Sequence, residues 1–385
     1  MKKNHIILIV FAIVIVLAGV FYYQIVDLEK GQLVQEDEVV KNNDEKINFE
    51  EDNKEEGNNK EVNNKEVNNN KNQKEEKPVS TTNNLQGNLA ICNENGRIPI
   101  LMYYKFAETN PNNDEWTRTF AEFEKDLKLL YENNYRPISL TDYVEGNINV
   151  PYGMTPVILT FDDAHAGQMS FNKDDDGNLV LKEKTAVAIM QKFNQQHPDF
   201  ELKGTFYISS ETFFGSKGKS SERLQYLVDL GFELGNRTKT GYYLGNAKSA
   251  EKVQQEVGGL AKFVDEYLPG YKIDSLSLPA GSRTKTYADY MYSGVYEGYE
   301  YENKSVVSIY NSFAARSPID NERDLTNLPR IKVADATRGL DYWVQYYKEH
   351  PEELYVSDGD PLTFVINKAD ENLVTVDTSY EKHVK

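Results

Sequence analysis

The first feature of the hydrophobic pattern is an unbroken run. Residues 6–23 read IILIVFAIVIVLAGVFYY, eighteen apolar, small or aromatic residues without one charge. At 1.5 Å per residue this approaches the ~30 Å thickness of a bilayer core. Lys2 and Lys3 precede the run, and Tyr22 and Tyr23 close it at the depth where aromatic rings settle. The pattern predicts a transmembrane signal anchor over residues 1–26, with the N-terminus in the cytoplasm and the rest of the chain outside a single-pass cell-membrane protein. The alternative is a cleaved signal that would leave a secreted chain, but no good A-x-A site follows. Leu17-Ala18-Gly19 opens like a lipoprotein box, yet Val20 stands where the lipidated Cys belongs.

Periodicity then stops. Within 27–85 there are 16 Asp and Glu and 9 Lys and Arg, and 14 Asn crowd into 41–85. KEVNN repeats in tandem at 60–64 and 65–69. Too few apolar residues are present to offset the entropy of ordering, so 27–97 is expected to be a disordered Asn/Glu/Lys-rich linker. As a flexible chain, 27–85 would reach about 40–45 Å.

From Ile98 to Lys385 the pattern becomes that of a globular domain. Short apolar runs predict buried strands at Ile98–Tyr104, Thr155–Phe161, Gly204–Ile208, Phe232–Gly235 and Ser275–Leu278. Between them, Phe123, Leu127, Leu130 and Tyr131 recur at helical spacing within Phe120–Asn133. Ser221–Leu230 and Ala250–Tyr267 also read as amphipathic helices. Strands alternating with helices predict a parallel sheet or α/β barrel, with chemistry on loops at the C-terminal strand ends.

Composition narrows the possible partners. The net charge is −18 and the pI about 4.9. That balance argues against nucleic acid and anionic lipid surfaces, which require clustered positive charge. The single cysteine, Cys92, excludes an internal disulfide framework and a cysteine-cluster zinc site.

The most suggestive strand end is Thr160-Phe161-Asp162-Asp163. Two adjacent carboxylates leaving a buried strand repel one another unless a cation or proton lies between them. Strand alternation aims them differently, so one suits a metal and the other a base. A solvated acidic turn would read the same way.

TFDD, then GTFYI, then GFELGNRT, then LPAG resembles, in order and spacing from about Ile98 to Val333, the polysaccharide deacetylases of carbohydrate esterase family four and their NodB homology domain. The opening IPILMYY and the stretch EFEKDLKLLYENNYRPISLTDY are similar to the start of that domain. The resemblance implies a distorted (β/α) barrel with fewer than eight full repeats over 98–385. It makes Asp162 the general base and Asp163 a ligand of a divalent metal such as zinc, with two His completing the site. It places Asn236 and Pro279 about the substrate cleft. By position alone, Arg330 in LPRIKV is also expected at the cleft, as a replacement charge near the base, because that strand closes the barrel.

The departures fall on the metal. The two His positions are occupied by Arg237 and Gly241. A guanidinium has no lone pair to offer and glycine has no side chain, so two of three protein ligands are missing. Arg237 is expected instead to pair with Asp162 and Asp163 in the metal's place, the alternative being that it swings to solvent and leaves an eroded pocket. Ser277 replaces an Arg, Ala280 an aromatic residue, Tyr104 a His and Ala164 a Gly. His165 reads as a surface residue, Asn172–Asn178 as an acidic turn without the donors of an EF-hand, and the tyrosines of 287–301 as either a glycan wall or core.

Together these features predict a cell-surface polysaccharide deacetylase-like protein, catalytically impaired, that needs no cofactor and binds cell-wall or surface glycan. The alternative is an active metal-dependent deacetylase with a rebuilt site. An acid–base glycosidase is disfavoured, because adjacent residues do not place carboxyls ~5–9 Å apart across a sugar.

Overall fold

Thr155–Asp162 is a strand whose eight residues are all buried, TPVILTFD, as expected of a central strand covered on both faces. It sits within a sheet of eight strands in the computed structural model, which describes residues 88–209, 214–215, 220–308 and 313–385. In chain order these are β1 (Ile100–Tyr103), β2 (Tyr135–Pro137), β3 (Thr155–Asp162), β4 (Thr205–Ile208), β5 (Glu233–Asn236), β6 (Ser275–Ser277), β7 (Ser305–Val307) and β8 (Ile331–Lys332). The spatial order is β7-β6-β5-β4-β3-β1-β8, with β2 paired to the start of β3. Every pairing in this sheet is parallel. A parallel bridge between Val307 and Leu328 brings the end of β7 against the segment that leads into β8. The fold is mixed α/β around a curled parallel sheet, as the alternation of strands and helices predicts, and full βα repeats are fewer than eight.

The helices follow their own start signals. Thr119 and Glu122 form a capping box for α1 (Phe120–Glu132), and Ser139 with Asp142 forms another for α2 (Leu140–Glu145). Thr185 caps α3 (Ala186–Gln196), α4 spans Ser220–Asp229, and Ser249 caps α5 (Ala250–Tyr267). The apolar faces of α1, α3 and α5 meet β-strand side chains in one core. At its centre Phe161 stacks on Phe206 at 4.5 Å and on Tyr103 at 5.5 Å. Gly235 is required there, since a Cβ would lie 2.4 Å from the Tyr207 ring.

Several expectations shift. The strand expected at Phe232–Gly235 lies one residue later, which makes Asn236 a strand residue. The expected linker boundary at residue 97 falls inside the fold: Cys92, Asn93 and Glu94 are buried, and the Glu94 N–H donates to the Val365 carbonyl at 2.8 Å. The Asn172–Asn178 loop joins a small antiparallel hairpin, and Asp174 accepts from the N–H groups of Asp176 and Asn178. Of the 287–301 tyrosines, Tyr301 is buried and Tyr287, Tyr292 and Tyr299 pack against the same core cluster. Among the described residues no helix is long and apolar enough to cross a membrane, and the expected anchor and most of the linker lie outside those residues.

Candidate functional site

Parallel register brings the C-terminal ends of the strands to one rim. Tyr104 follows β1, Asp162 ends β3, Ser209 follows β4, Arg237 follows β5 and Ser277 ends β6. Above them lies a cleft of about 470 Å³ whose walls include Tyr104, Trp116, His165, Tyr243 and Pro279. Asp163, Arg237 and Gly241 also face it.

Beneath the cleft the carboxylate expected as a base is sealed. Asp162 is 1% exposed. Arg330 Nη1 donates to its Oδ1 at 2.8 Å and Nη2 to its Oδ2 at 2.9 Å. Arg237 Nη1 lies 2.9 Å from the same Oδ2. Ser277 Oγ accepts from Arg237 at 2.7 Å and from Arg330 at 3.1 Å, and donates weakly to Asp162 at 3.3 Å. Burial alone would raise the Asp162 carboxyl, but the two guanidinium groups outweigh it and hold the pKa below its usual range. An ionised carboxylate with both oxygens engaged by cations is a poor base, because taking up a proton would break those bonds.

Asp163 is the half-exposed member of the pair. Its Oδ1 accepts from Arg237 Nε at 2.6 Å. Arg237 thus bridges both acids with different nitrogens of one planar group, as its fork geometry allows. Burial opposes the charge on Arg237, yet Asp162 and Asp163 raise its pKa further. The expected internal pairing of Arg237 with the two carboxylates is the arrangement observed.

The remaining site residues divide. Pro279 lines the cleft as expected. Asn236 and Arg330 do not, and their placement in the cleft is corrected. Asn236 is fully buried, donating to the Val257 carbonyl at 2.9 Å and accepting from the Thr238 N–H at 2.8 Å. Arg330 is fully buried under Asp162, so it supplies the missing charge from below the cleft floor. Gly241 has φ +68°, and among the described residues nothing lies within 4 Å of a Cβ built there. His165 is half-buried in the cleft wall, less open than a surface residue of a loop. Its ring meets Tyr104 edge-on at 4.7 Å, its Nε2 is buried without a hydrogen-bond partner, and burial lowers its pKa.

Sequence reasoning missed Glu256, a buried α5 residue that shapes the wall. Its carboxylate accepts from the N–H and hydroxyl of Thr240 and from Lys252, fixing the loop that carries Gly241. A lone Glu on an amphipathic helix carries no signal of this kind. Non-glycine residues with positive φ gather at the same rim: Asp163 at 68°, Ala164 at 44°, Thr238 at 64° and Ala280 at 50°. Such conformations cost free energy and persist where surrounding structure fixes them.

A catalytic zinc wants three protein ligands and an open position. Here Arg237 and Gly241 offer none. Among the described residues, the one group of three convergent His, Cys, Asp or Glu ligand atoms is His350, Glu352 and Glu353, away from the cleft. The residues present do not fit the metal that the sequence resemblance implies.

No family model and no curated protein sequence matches the chain. Solved structures do. The chain is similar to a deacetylase from Streptococcus pyogenes, PplD, determined in complex with acetate. The two are 17% identical over 65% of this chain and 97% of that one, with a TM-score of 0.48. A polysaccharide deacetylase from Bacillus cereus is also 17% identical, over 65% of this chain and 68% of that one, with a TM-score of 0.47. A pseudoenzyme of carbohydrate esterase family four from Bacillus anthracis is 12% identical, over 50% of this chain and 62% of that one, with a TM-score of 0.27.

Proposed function

We propose that the chain is a catalytically silent relative of the polysaccharide deacetylases that binds N-acetylated cell-wall or surface glycan in its cleft. One observation carries the reading: Arg237 stands where the sequence motif calls for a metal-binding His and holds Asp162 and Asp163 together, at 2.9 and 2.6 Å. The guanidinium supplies the positive charge that the acid pair requires. It cannot act as a Lewis acid toward an acetamide carbonyl. With Asp162 clamped by Arg330 as well, neither an activated water nor a free base is provided for.

What remains is a binding surface. Tyr104, Trp116 and Tyr243 bring aromatic faces to the cleft, and such faces suit the C–H faces of sugar rings. The apolar run at 6–23 supports a membrane anchor that would hold this domain at the cell surface on its linker, and labelling of terminal tags on intact cells would test that arrangement.

The central test uses the full-length chain. Calorimetric titration with Zn²⁺ and Co²⁺ should show no micromolar site, and N-acetylglucosamine oligomers should bind saturably without release of acetate. Tight metal binding together with acetate release would establish the active-enzyme reading instead. No oligomer binding at all would remove the glycan-binding reading.

A further inference from the structure

A second hollow opens at the other end of the barrel. Arg97 lies just before β1, whereas the cleft lies beyond its last residue. The separation is roughly 20 Å at ~3.3 Å per extended residue. The hollow has a volume of about 320 Å³ and is lined by Arg97, Arg316 and Arg323, with Tyr143 and Phe313 as its aromatic surfaces. Glu322 and Asp324 line it as well.

The charges in this hollow are not all available. Arg316 is spent on Asp320 at 2.9 Å and on Glu322. Asp324 turns back onto its own loop, accepting from the N–H of Thr326 at 2.9 Å and from its hydroxyl at 2.6 Å. Arg97 and Arg323 differ. Arg97 donates to the Ala314 carbonyl at 3.2 Å and lies 5.8 Å from the Phe313 ring centroid. Arg323 donates through one nitrogen to the carbonyls of Tyr143 and Val144, at 3.1 and 3.2 Å, and lies 5.7 Å from the Tyr143 ring centroid. Among the described residues no carboxylate pairs with either one.

Two guanidinium groups with no carboxylate partner among the described residues stand around one hollow in a chain of net charge −18. Backbone carbonyls anchor one edge of each, which leaves further N–H groups of each fork for an oxyanion. We propose that this hollow binds a phosphomonoester, with Arg97 and Arg323 as its charge partners. The charges match, since a phosphomonoester carries about −1.5 to −2 at neutral pH. Glu322, paired with Arg316, and Asp324, turned onto Thr326, also line the hollow and would repel a longer run of negative charge, so the site takes one phosphate group. Phe313, 45% exposed, offers an apolar face to whatever carries it.

The test is calorimetric titration of the full-length chain with inorganic phosphate, then with glycerol 3-phosphate, then with a short-chain phosphatidic acid. Saturable binding is expected, weakening with added salt and falling at least about tenfold in Arg97→Gln and in Arg323→Gln. The Gln at 97 retains an amide that can still donate to the Ala314 carbonyl. Should either variant fail to fold, Arg97→Lys keeps the charge but loses the fork, and it should bind more weakly than the native chain. A preference for phosphatidic acid over glycerol 3-phosphate would assign the source to a lipid headgroup, and equal affinity to a soluble or polymer-borne phosphate. No binding of any probe, or binding unchanged in both Gln variants, overturns the proposal.

Discussion

Arg330 closes on Asp162 with two parallel hydrogen bonds, 2.8 and 2.9 Å long, between side chains that are 0% and 1% exposed. Arg237 completes the enclosure from the cleft side. A buried carboxylate between two guanidinium groups is retained because each charge needs the others once water is excluded.

Removing the central charge should therefore be costly. Asp162→Asn leaves two buried guanidinium groups facing one another across a neutral amide, and about 3–5 kcal/mol of stability should be lost. Asp163→Asn should cost about 1 kcal/mol or less, since that carboxylate is 31% exposed and solvent screens its pairing. Urea unfolding of the two variants checks the ranking. Because the folded pKa of Asp162 is lowered from 3.8, its contribution is complete above that value and is lost as acid takes the pH through the lower folded value.

The opposite sign belongs to Glu94. Its carboxyl is buried beside Asp358, and among the described residues no cation pairs with it. Burial and that neighbouring charge push its pKa up from 4.5 to about 8, despite N–H donors from Val365 and Asp358 and the Tyr355 hydroxyl. The folded state then holds a proton that the unfolded chain releases more readily. Stability should fall as pH rises from about 4.5 to about 8 and level off above it. Thermal midpoints of the native chain across that window should decline, and replacing Glu94 by Gln should flatten the decline.

Glycan binding in the cleft should depend on its exposed aromatic wall. Tyr243 is 50% exposed and lines the cleft, and its side chain takes no part in the Asp162 cluster. Tyr243→Ala should weaken binding of N-acetylglucosamine oligomers by about 1 kcal/mol, the scale of one lost aromatic contact. The urea midpoint should barely move. Equal affinity in the native chain and the variant would place the glycan elsewhere.

Much of this site was legible in the sequence, and the limits were physical. Asp162, Asp163 and Arg237 were readable because each closes or follows a short apolar strand, and parallel strands must deliver their ends to one rim. Arg330 was reachable only as a position near the last strand. Its burial under Asp162 depends on how the end of β7 meets Leu328, which no local pattern encodes. Asn236 misled because its motif position says nothing of which way its side chain points: as the last residue of β5 it turns into the core and donates to the Val257 carbonyl of α5. Residues 88–97 looked like linker because polar Asn93 and Glu94 dominate them. Their burial rests on bonds to residues more than 250 positions away, such as Val356 and Val365. His165 appeared exposed for the same reason: the Tyr104 ring against it comes from another strand.

Restoring the missing ligands should separate metal binding from catalysis. Arg237→His with Gly241→His would place two imidazoles beside Asp163, giving the three ligands that a zinc site requires. The space is there, since nothing lies within 4 Å of a Cβ built at 241, but that residue sits at φ +68°. A His in that conformation costs about 1–2 kcal/mol, so the gain in Zn²⁺ affinity should be real and limited. Removing Arg237 also releases one of the two cations on Asp162. The other remains: Arg330 still holds both Asp162 oxygens, so the carboxylate stays ionised and unavailable as a base. The double variant should therefore bind Zn²⁺ measurably by calorimetry and still release no acetate from N-acetylglucosamine oligomers. Acetate release from this variant would show that the Arg330 clamp does not silence Asp162, and that the lost histidines alone account for inactivity.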